Sequence, residues 1–308
     1  MAAIEMQERL VVAPEEVGER LDRFVARRLP ALSRSAVQRL VEAGSILVNH
    51  APAKPSYRME DGDEVQVTVP APSAHAPAAQ GILLQVIYED AALAVLNKPA
   101  GLVVHPAHGH EAGTLWNGLM ARYPELATWP TEEGWPGLVH RLDRDTSGVL
   151  LVARTPEARD ALRAQFKAAQ VSKVYLALVI GRPEHERARI DSPIGRDPRE
   201  RKRLAVLEGG RQAITDYGVL EYLGDYTLLE VHPLTGRTHQ IRVHLAAIGH
   251  PVVGDRVYGP GRQKLRLRRL FLHAAELTFR HPVTGQEMTF NAPLPGELEE
   301  VLAELRRT

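Results

Sequence analysis

Cysteine is absent from the 308 residues of this sequence, and its absence excludes several classes of protein at once. A chain without thiols has no disulfide framework, no thiolate nucleophile, no iron–sulfur cluster and no cysteine-ligated zinc. The absence is also typical of a reducing compartment. Any chemistry must therefore come from carboxylates, hydroxyls, imidazoles or basic side chains.

Long hydrophobic runs are missing as well. No stretch approaches the roughly 18 apolar residues that a membrane-spanning helix needs, and the opening residues MAAIEMQERL contain no apolar signal core. The sequence has no internal repeat and neither of the nucleotide-binding patterns GxGxxG and GxxxxGK(S/T). We therefore expect a cytoplasmic protein that binds no membrane. With 44% hydrophobic and 25% charged residues, the composition predicts a globular chain of two domains.

Net charge is the third property that is lacking, because 38 Lys and Arg balance 38 Asp and Glu. Neutrality argues against a nucleic-acid partner, since proteins that bind phosphates are usually basic. The basic residues are clustered, however. Residues 20–39 hold six arginines against the single acid Asp22, and residues 262–269 hold five basic residues and no acid. Each cluster alone could be the solvated face of a helix.

The segment PAPSAHAPAAQ at residues 70–80 has no charged side chain and no hydrophobic period, which is typical of a linker. Upstream, apolar residues at helical spacing from Val17 to Leu29 predict one helix, and a second is expected between Ser33 as N-cap and Gly44. Short strands are expected at residues 46–48 and 64–69. We divide the chain into an N-terminal tail at 1–13, a small α+β unit at 14–70, a linker at 71–82 and a larger domain at 83–308.

The larger domain is dominated by alternating or apolar runs that predict strands. These runs are residues 83–88, 93–96, 149–153, 174–180, 226–231, 270–279 and 287–290. Helices are expected to begin at Thr155 and near Thr238. Because the runs are joined by hairpin-like turns rather than regular helices, we expect an α+β fold with a mixed, largely antiparallel sheet, flanking helices and a central cleft.

The most specific motif is GLVHRLDRDTSGVLLVART at residues 137–155. Asp143 lies in its polar loop, directly before an apolar strand, and this position is typical of a catalytic carboxylate held at the end of a sheet. On local chemistry alone, Asp143, Asp145, Thr146 and Ser147 could equally serve only to form turns.

Several blocks in order along the chain resemble the RluA/RluD family of RNA pseudouridine synthases. In chain order they are Asn97-Lys98-Pro99-Ala100-Gly101 with His105-Pro106, the HRLDRDTSG loop, Lys173-Val174-Tyr175, the block LTGRTHQIRVH at 234–244 and the tail GHPVVGDRVYG. The resemblance extends over residues 14–295. Residues 19–49 also resemble the S-four domain, a small RNA-binding module that accompanies the family's large-subunit ribosomal RNA enzymes.

The resemblance implies roles for individual residues. Asp143 corresponds to the catalytic carboxylate, and Tyr175 to the tyrosine that stacks on the target base. A cation should keep Asp143 ionised in a dry pocket, and we expect Arg242 in this place, with Arg237 in reserve. Arg141 corresponds to the arginine implicated in extruding the uridine. Without the resemblance, Tyr175 would be interpreted as a core residue, and the arginines as phosphate or surface residues.

The partner that the resemblance implies is ribosomal RNA, as large-subunit RNA or a pre-ribosomal particle. Four arginines of the S-four region are expected to bind its phosphates, namely Arg23, Arg27, Arg34 and Arg39. We expect no cofactor and a monomer. A metal site among His105, His108 and His110, or at His239 and His244, is not expected, because no acidic ligand completes either group and the family needs no metal.

We therefore expect an enzyme that isomerises uridines to pseudouridine in large-subunit ribosomal RNA. The alternatives are a synthase acting on transfer RNA and a catalytically silent RNA-binding ribosome-assembly factor. A glycoside hydrolase using Asp143 and Asp145 is disfavoured, since two aspartates in one turn need not face a common substrate.

Overall fold

The helices and strands of the chain form two units, which are described in turn. A computed structural model describes residues 4–30, 32, 34–70, 81–106, 112–129, 135–200, 203–261, 265 and 267–307. One unit comprises residues 1–76 with 130–134, and the other comprises residues 77–129 with 135–308. The expected linker residues 71–80 and the expected N-cap Ser33 lie outside the described residues.

The smaller unit is a four-stranded antiparallel sheet with two helices. Its elements are β1 (Ile4–Val11), a 3-10 helix (Pro14–Glu16), α1 (Leu21–Arg28), α2 (Arg34–Glu42), β2 (Ile46–Val48), β3 (Ala51–Pro52) and β4 (Glu64–Pro70). The strand order is β1-β4-β2-β3. Leu21, Phe24 and Val25 of α1 share one core with Val37 and Val41 of α2, as their helical spacing predicts.

Two expectations for this unit are wrong. Residues 4–11 are not part of a tail, because they form β1 and pair with β4. Only Ile4, Met6 and Leu10 alternate in this strand, which is too weak a pattern to recognise. Val17 does not belong to the first helix, since it is exposed and Gly18 follows it at φ +81°, outside the helical region.

The larger unit contains the other strands and helices of the described chain. In order they are β5 (Gln85–Glu89), β6 (Leu93–Lys98), α3 (Leu115–Arg122), a 3-10 helix (Pro124–Thr128), β7 (Ser147–Ala153), α4 (Pro156–Lys167), β8 (Ser172–Ile180), β9 (Arg187–Asp191), β10 (Ile194–Arg196), β11 (Leu204–Val206), β12 (Ile214–Leu223), β13 (Tyr226–Pro233), α5 (Gln240–Ala247), β14 (Leu272–Arg280), β15 (Glu287–Asn291) and α6 (Gly296–Leu305).

Nine of these strands form one sheet in the order β5-β6-β7-β14-β8-β13-β12-β9, with β15 paired to β14. Strands β7 and β14 run parallel, while the other described pairs of this sheet are antiparallel. β10 and β11 form a separate hairpin. This architecture confirms the expected α+β fold with a mixed, largely antiparallel sheet.

All seven strands expected in this unit are present, and so are the helices after Thr155 and Thr238. The oxygen Oγ1 of Thr155 accepts a hydrogen bond from the Ala158 N–H at 3.2 Å, which caps α4. The strands β9 to β12 and the helices α3 and α6 were not predicted. In β9 (RARID), each apolar residue has a charged residue before and after it in the sequence. Such a charged strand is typical of the edge of a sheet, where β9 lies.

Candidate active site

Asp143 lies in the loop that leads into β7, and hydrogen bonds hold the backbone of this loop. The Thr146 N–H donates to the Asp143 carbonyl at 3.2 Å, which closes a turn. The Gly101 N–H and the ammonium Nζ of Lys98 donate to the Arg144 carbonyl at 2.8 and 3.0 Å. The next strand, β7, is buried along its whole length. The carboxylate therefore projects from a fixed loop at the end of the sheet.

Gly148, the glycine of the TSG sequence, allows this loop to approach β14. It has φ +117°, and a Cβ atom at this position would lie 2.1 Å from the carbonyl oxygen of Ala274. Ala274 pairs with Gly148 in the parallel contact between β7 and β14. A side chain here would force the two strands apart immediately after Asp143.

Arg242, on α5, lies between two carboxylates. Its Nη1 donates to Asp143 Oδ2 at 3.0 Å. Its Nε and Nη2 donate to Asp255 Oδ2 and Oδ1 at 2.7 and 3.0 Å. Burial works against the charge of the guanidinium, but hydrogen bonds and charges of Asp255 and Asp143 raise the pKa of Arg242 above its ordinary value. The guanidinium therefore stays positive beside Asp143.

His239 and Tyr258 complete the surroundings of Asp143. The Tyr258 hydroxyl oxygen accepts from the Leu204 N–H at 3.3 Å and lies 2.9 Å from Nδ1 of His239. The second ring nitrogen of His239, Nε2, lies towards Asp143. That atom is 3.8 Å from Asp143 Oδ2. Burial lowers the pKa of His239, so the ring is neutral near pH 7.

A cavity of about 370 Å³ opens beside Asp143 and is strongly cationic. Five basic side chains line it, namely Arg141, Lys167, Lys173, Arg237 and Arg242, and Asp143 is the only acid among its lining residues. The volume suits a ligand of nucleotide size, and the charge suits its phosphates. Asp145 does not line the cavity and pairs instead with Arg144 at 3.1 Å.

Tyr175, on β8, is half-buried and lines the same cavity. Burial first, and then the negative charge of Asp143, raise its pKa above the ordinary value of a phenol. The side chain is therefore an uncharged ring with a protonated hydroxyl. The structure thus brings Asp143, Tyr175 and Arg242 to one cavity, while the role of each remains a prediction.

Two lysines near Asp143, the buried Lys98 and the half-buried Lys173, were not selected as site residues from the sequence. Lys98 is fully buried, and its Nζ donates to the carbonyls of Pro99, Leu102 and Arg144 at 2.8, 2.8 and 3.0 Å. Burial lowers the pKa of Lys98 to about 7 and that of Lys173 to about 8. The sequence did contain one indication of Lys98, because a lysine that ends an apolar strand such as LAVLNK is unusual and points to a specific role.

Arg141 and Arg237 also line the cavity, but neither forms an ion pair with Asp143. Arg141 is exposed, and its Nη1 lies 3.4 Å from Nε2 of His105. The Nε of Arg237 donates to the Gln212 carbonyl at 2.9 Å. Arg242 therefore holds the position beside Asp143 for which Arg237 was the reserve.

The four arginines expected to bind RNA from the smaller unit have different surroundings. Arg23 is exposed, and no ion pair joins it to a described residue. Arg34 contacts the fully buried Asp22 at 2.9 Å, and Arg27 pairs with Glu16 and Glu19 at 2.8 Å. The side chain of Arg39 lies outside the described residues.

His140 and His244 form hydrogen bonds within the protein. Nε2 of His140 accepts from the Leu151 N–H at 2.8 Å, and burial lowers the pKa of His140 to about 3. His244 contacts the Thr215 hydroxyl and the Ser192 carbonyl, each at 2.9 Å. Within the described part of the chain, no three His, Asp or Glu residues are grouped so as to hold a metal ion. His108 and His110 lie outside that part.

Comparison with known families identifies both units. A model of the RNA pseudouridylate synthase family matches residues 92–247, which contain Asp143, Tyr175 and Arg242, and an S4 domain model matches residues 19–65. The chain belongs to the RNA pseudouridylate synthase family. This synthase is 53% identical, over 98% of its own length and 95% of the relative's, to an uncharacterized RNA pseudouridine synthase of Chloroflexus aurantiacus.

Two other relatives carry more specific names. Proteins named ribosomal large subunit pseudouridine synthase D, from Xanthomonas campestris and Neisseria meningitidis serogroup A, are 41% and 40% identical over 96% of this synthase and 92% and 81% of their own chains. The solved human RNA pseudouridylate synthase domain containing 1 is 32% identical, with a TM-score of 0.57 over 73% of this chain and 96% of its own. Among the described residues, no helix is long and apolar enough to cross a membrane.

Proposed function

We propose that this synthase isomerises specific uridines of large-subunit ribosomal RNA to pseudouridine, with Asp143 as the catalytic carboxylate. The observation that carries the proposal is the contact of Asp143 with Arg242 at 3.0 Å inside a cationic cavity that Tyr175 also lines. The names of the relatives from Xanthomonas and Neisseria support ribosomal RNA as the substrate.

The isomerisation breaks the bond between C1′ of the ribose and N1 of uracil, and forms a bond between C1′ and C5. The hydrogen at C5 leaves as a proton, so no redox partner is needed. Asp143 acts either on C1′ as a nucleophile or on the sugar as a base, and both routes require the ionised carboxylate. The positive guanidinium of Arg242 donates to this carboxylate at 3.0 Å.

The remaining cavity residues would hold the uridine in place. The ring of Tyr175 would stack on the detached uracil, and its neutral hydroxyl would face the base without adding a second negative charge. Arg141, exposed at the cavity, would occupy the space that the extruded nucleotide leaves in the RNA. In the S4 unit, Arg23 and Arg34 would contact phosphates, which adds affinity with little sequence readout.

The test is release of tritium from ribosomal RNA labelled at uridine C5. Wild-type protein should release tritium, and Asp143→Asn should release less than about a thousandth as much while binding the RNA equally well. Asp145→Asn is the matched control, because it removes a carboxylate two residues away that does not line the cavity. It should retain activity.

Other outcomes identify the alternatives. Equal RNA binding without tritium release from any RNA would favour the assembly factor. Release from transfer RNA and not from ribosomal RNA would leave the enzyme assignment intact and overturn the substrate. Loss of release in Asp145→Asn as well as Asp143→Asn would contradict the assignment of a single carboxylate.

A further inference from the structure

We infer that Asp255 is a positioning residue, which orients Arg242 so that one oxygen of Asp143 stays free for the ribose. The inference deepens the proposed function and rests on Asp143 being the catalytic carboxylate. It concerns a side chain in the segment GDRVYG at residues 254–259, to which the motif comparison assigned no role.

The guanidinium of Arg242 presents its two hydrogen-bonding sides to different partners. The side formed by Nε and Nη2 is occupied by both oxygens of Asp255, at 2.7 and 3.0 Å. This paired arrangement is the strongest that a guanidinium forms with a carboxylate. The two N–H groups of Nη1 and the second N–H of Nη2 remain, and of these Nη1 contacts Asp143, at Oδ2.

Asp255 is itself held in one orientation. Its side chain is 0% exposed, and its Oδ1 also accepts from the backbone N–H groups of Val257 and Tyr258 at 2.9 and 3.1 Å. Gly254 packs so closely that a Cβ atom there would lie 1.9 Å from the Arg269 carbonyl oxygen. The ring of Tyr258 covers the guanidinium, with its centroid 5.1 Å from Cζ of Arg242. The arginine therefore cannot turn without breaking several contacts.

The consequence appears at Asp143. Its Oδ2 accepts from Arg242, whereas its Oδ1 accepts no hydrogen bond from any described residue. If Asp255 did not occupy the Nε and Nη2 side, that side could bind both oxygens of Asp143 in the same paired way. The ion pair would remain, but both oxygens would then accept a charge-assisted hydrogen bond, which makes each a weaker nucleophile or base toward the sugar. Asp255 thus allows Arg242 to stabilise the charge of Asp143 through Oδ2 while Oδ1 accepts no hydrogen bond from the arginine.

Asp255→Asn tests the inference with little disturbance of the turn. The amide oxygen can keep the two backbone hydrogen bonds made by Oδ1, while the amide nitrogen replaces the acceptor of Nε with a donor. We expect kcat for tritium release to fall about 10- to 100-fold, with KM for RNA changed less than about threefold. Asp216→Asn is the matched control, because Asp216 of β12 forms the same paired contact with Arg189 of β9 at the protein surface. It should retain wild-type kcat.

A double-mutant cycle separates positioning from general stabilisation. In an Arg242→Lys background there is no planar guanidinium to orient, so adding Asp255→Asn should lower kcat less than about twofold further. A full additional 10- to 100-fold loss in that background would overturn the inference, as would wild-type kcat in Asp255→Asn alone.

Folding is monitored by thermal denaturation of each variant. If Asp255→Asn does not fold, Arg242→Lys alone decides, because its compact ammonium cannot bind Asp255 in the paired way: unchanged kcat overturns the inference, and a loss of at least about tenfold at unchanged KM supports it. The proposed function fails separately, if wild-type protein releases no tritium or if Asp143→Asn releases it normally.

Discussion

Lys98 shows how a single buried side chain can hold the loop of Asp143. Its ammonium group has three donors, and each finds a backbone carbonyl, one of them from Arg144 next to Asp143. Burial favours the neutral amine, whereas the three carbonyls favour the ammonium. The side chain therefore fastens the segment after β6 to the loop before β7.

Replacing this lysine should lower stability in a way that depends on pH. We expect Lys98→Met to reduce the free energy of unfolding by about 2 kcal/mol at pH 7, since buried carbonyls lose their donors. The pKa of Lys98 is about 7 in the folded protein and near its ordinary value of 10.5 in the unfolded chain. Between these values the unfolded chain binds more protons, so wild-type stability gains relative to the variant as the pH rises.

Urea denaturation of both proteins from pH 6 to pH 10 measures this difference. It should be constant below about pH 6.5 and grow towards pH 10. Lys167→Met, at an exposed position of the same unit, should show no such change. A difference that shrinks with pH, or an equal effect in the control, would contradict the prediction.

Individual residues of the site differ in how far the sequence indicates them. Asp143 and Arg242 stand in long, ordered motifs, and these motifs indicate both positions. Asp255 and Tyr258 stand in the block GHPVVGDRVYG, which contributes to the family resemblance, but the resemblance implied no role for either residue. Their contact with Arg242 depends on how the segment after α5 folds back, and no local pattern reports that.

Among the secondary-structure elements, the parallel pair β7 and β14 makes a very close backbone contact beside the site. The residues pair only at Ser147 with His273 and at Gly148 with Ala274. The Ser147 hydroxyl also contacts Nδ1 of His273 at 2.8 Å. The start of β7, and with it the loop of Asp143, is fixed by this short contact.

Gly148→Ala should therefore be severely destabilising, by about 3 kcal/mol or more, because the new methyl group overlaps the Ala274 carbonyl and φ is positive. Chemical denaturation of the purified variant measures the loss. Gly218→Ala in β12 is the control, since a Cβ there meets only Arg187 at 3.8 Å, and its change should stay within about 1 kcal/mol. Similar stability of the two variants would contradict the prediction.

The elements that the sequence predicted are those with strong apolar content. β7 and β8 are apolar runs of the sheet interior, and α4 has a capping threonine followed by proline. β1 and β9 were missed because edge strands with solvent on one side carry many charges. Whether such a segment becomes a strand depends on pairing with a neighbouring strand, and the local sequence carries no information about that strand.

At the scale of the whole molecule, catalysis and RNA affinity are expected to reside in different units. The S4 match covers residues 19–65, and the synthase match covers residues 92–247. Deletion of residues 1–76 should weaken binding to ribosomal RNA, because phosphate contacts are lost. The slope of log K against the logarithm of the salt concentration should become shallower by about 2 or more.

RNA-binding titrations at several salt concentrations measure both quantities. At saturating concentrations of a short stem-loop substrate, the truncated protein should still release tritium, provided that its circular dichroism shows a folded chain. Unchanged affinity and salt dependence after the deletion would remove the assigned role of the S4 unit.

The family, the α+β class and the expected site residues Asp143, Tyr175 and Arg242 could be predicted from amino-acid order, because these features are encoded in contiguous segments. Three other features required the folded structure: Asp255 occupies one side of Arg242, Lys98 joins two loops, and residues 4–11 form a strand. Each of these depends on contacts between segments far apart in the chain, and such contacts are selected by packing and hydrogen bonding of the whole fold rather than by local preference.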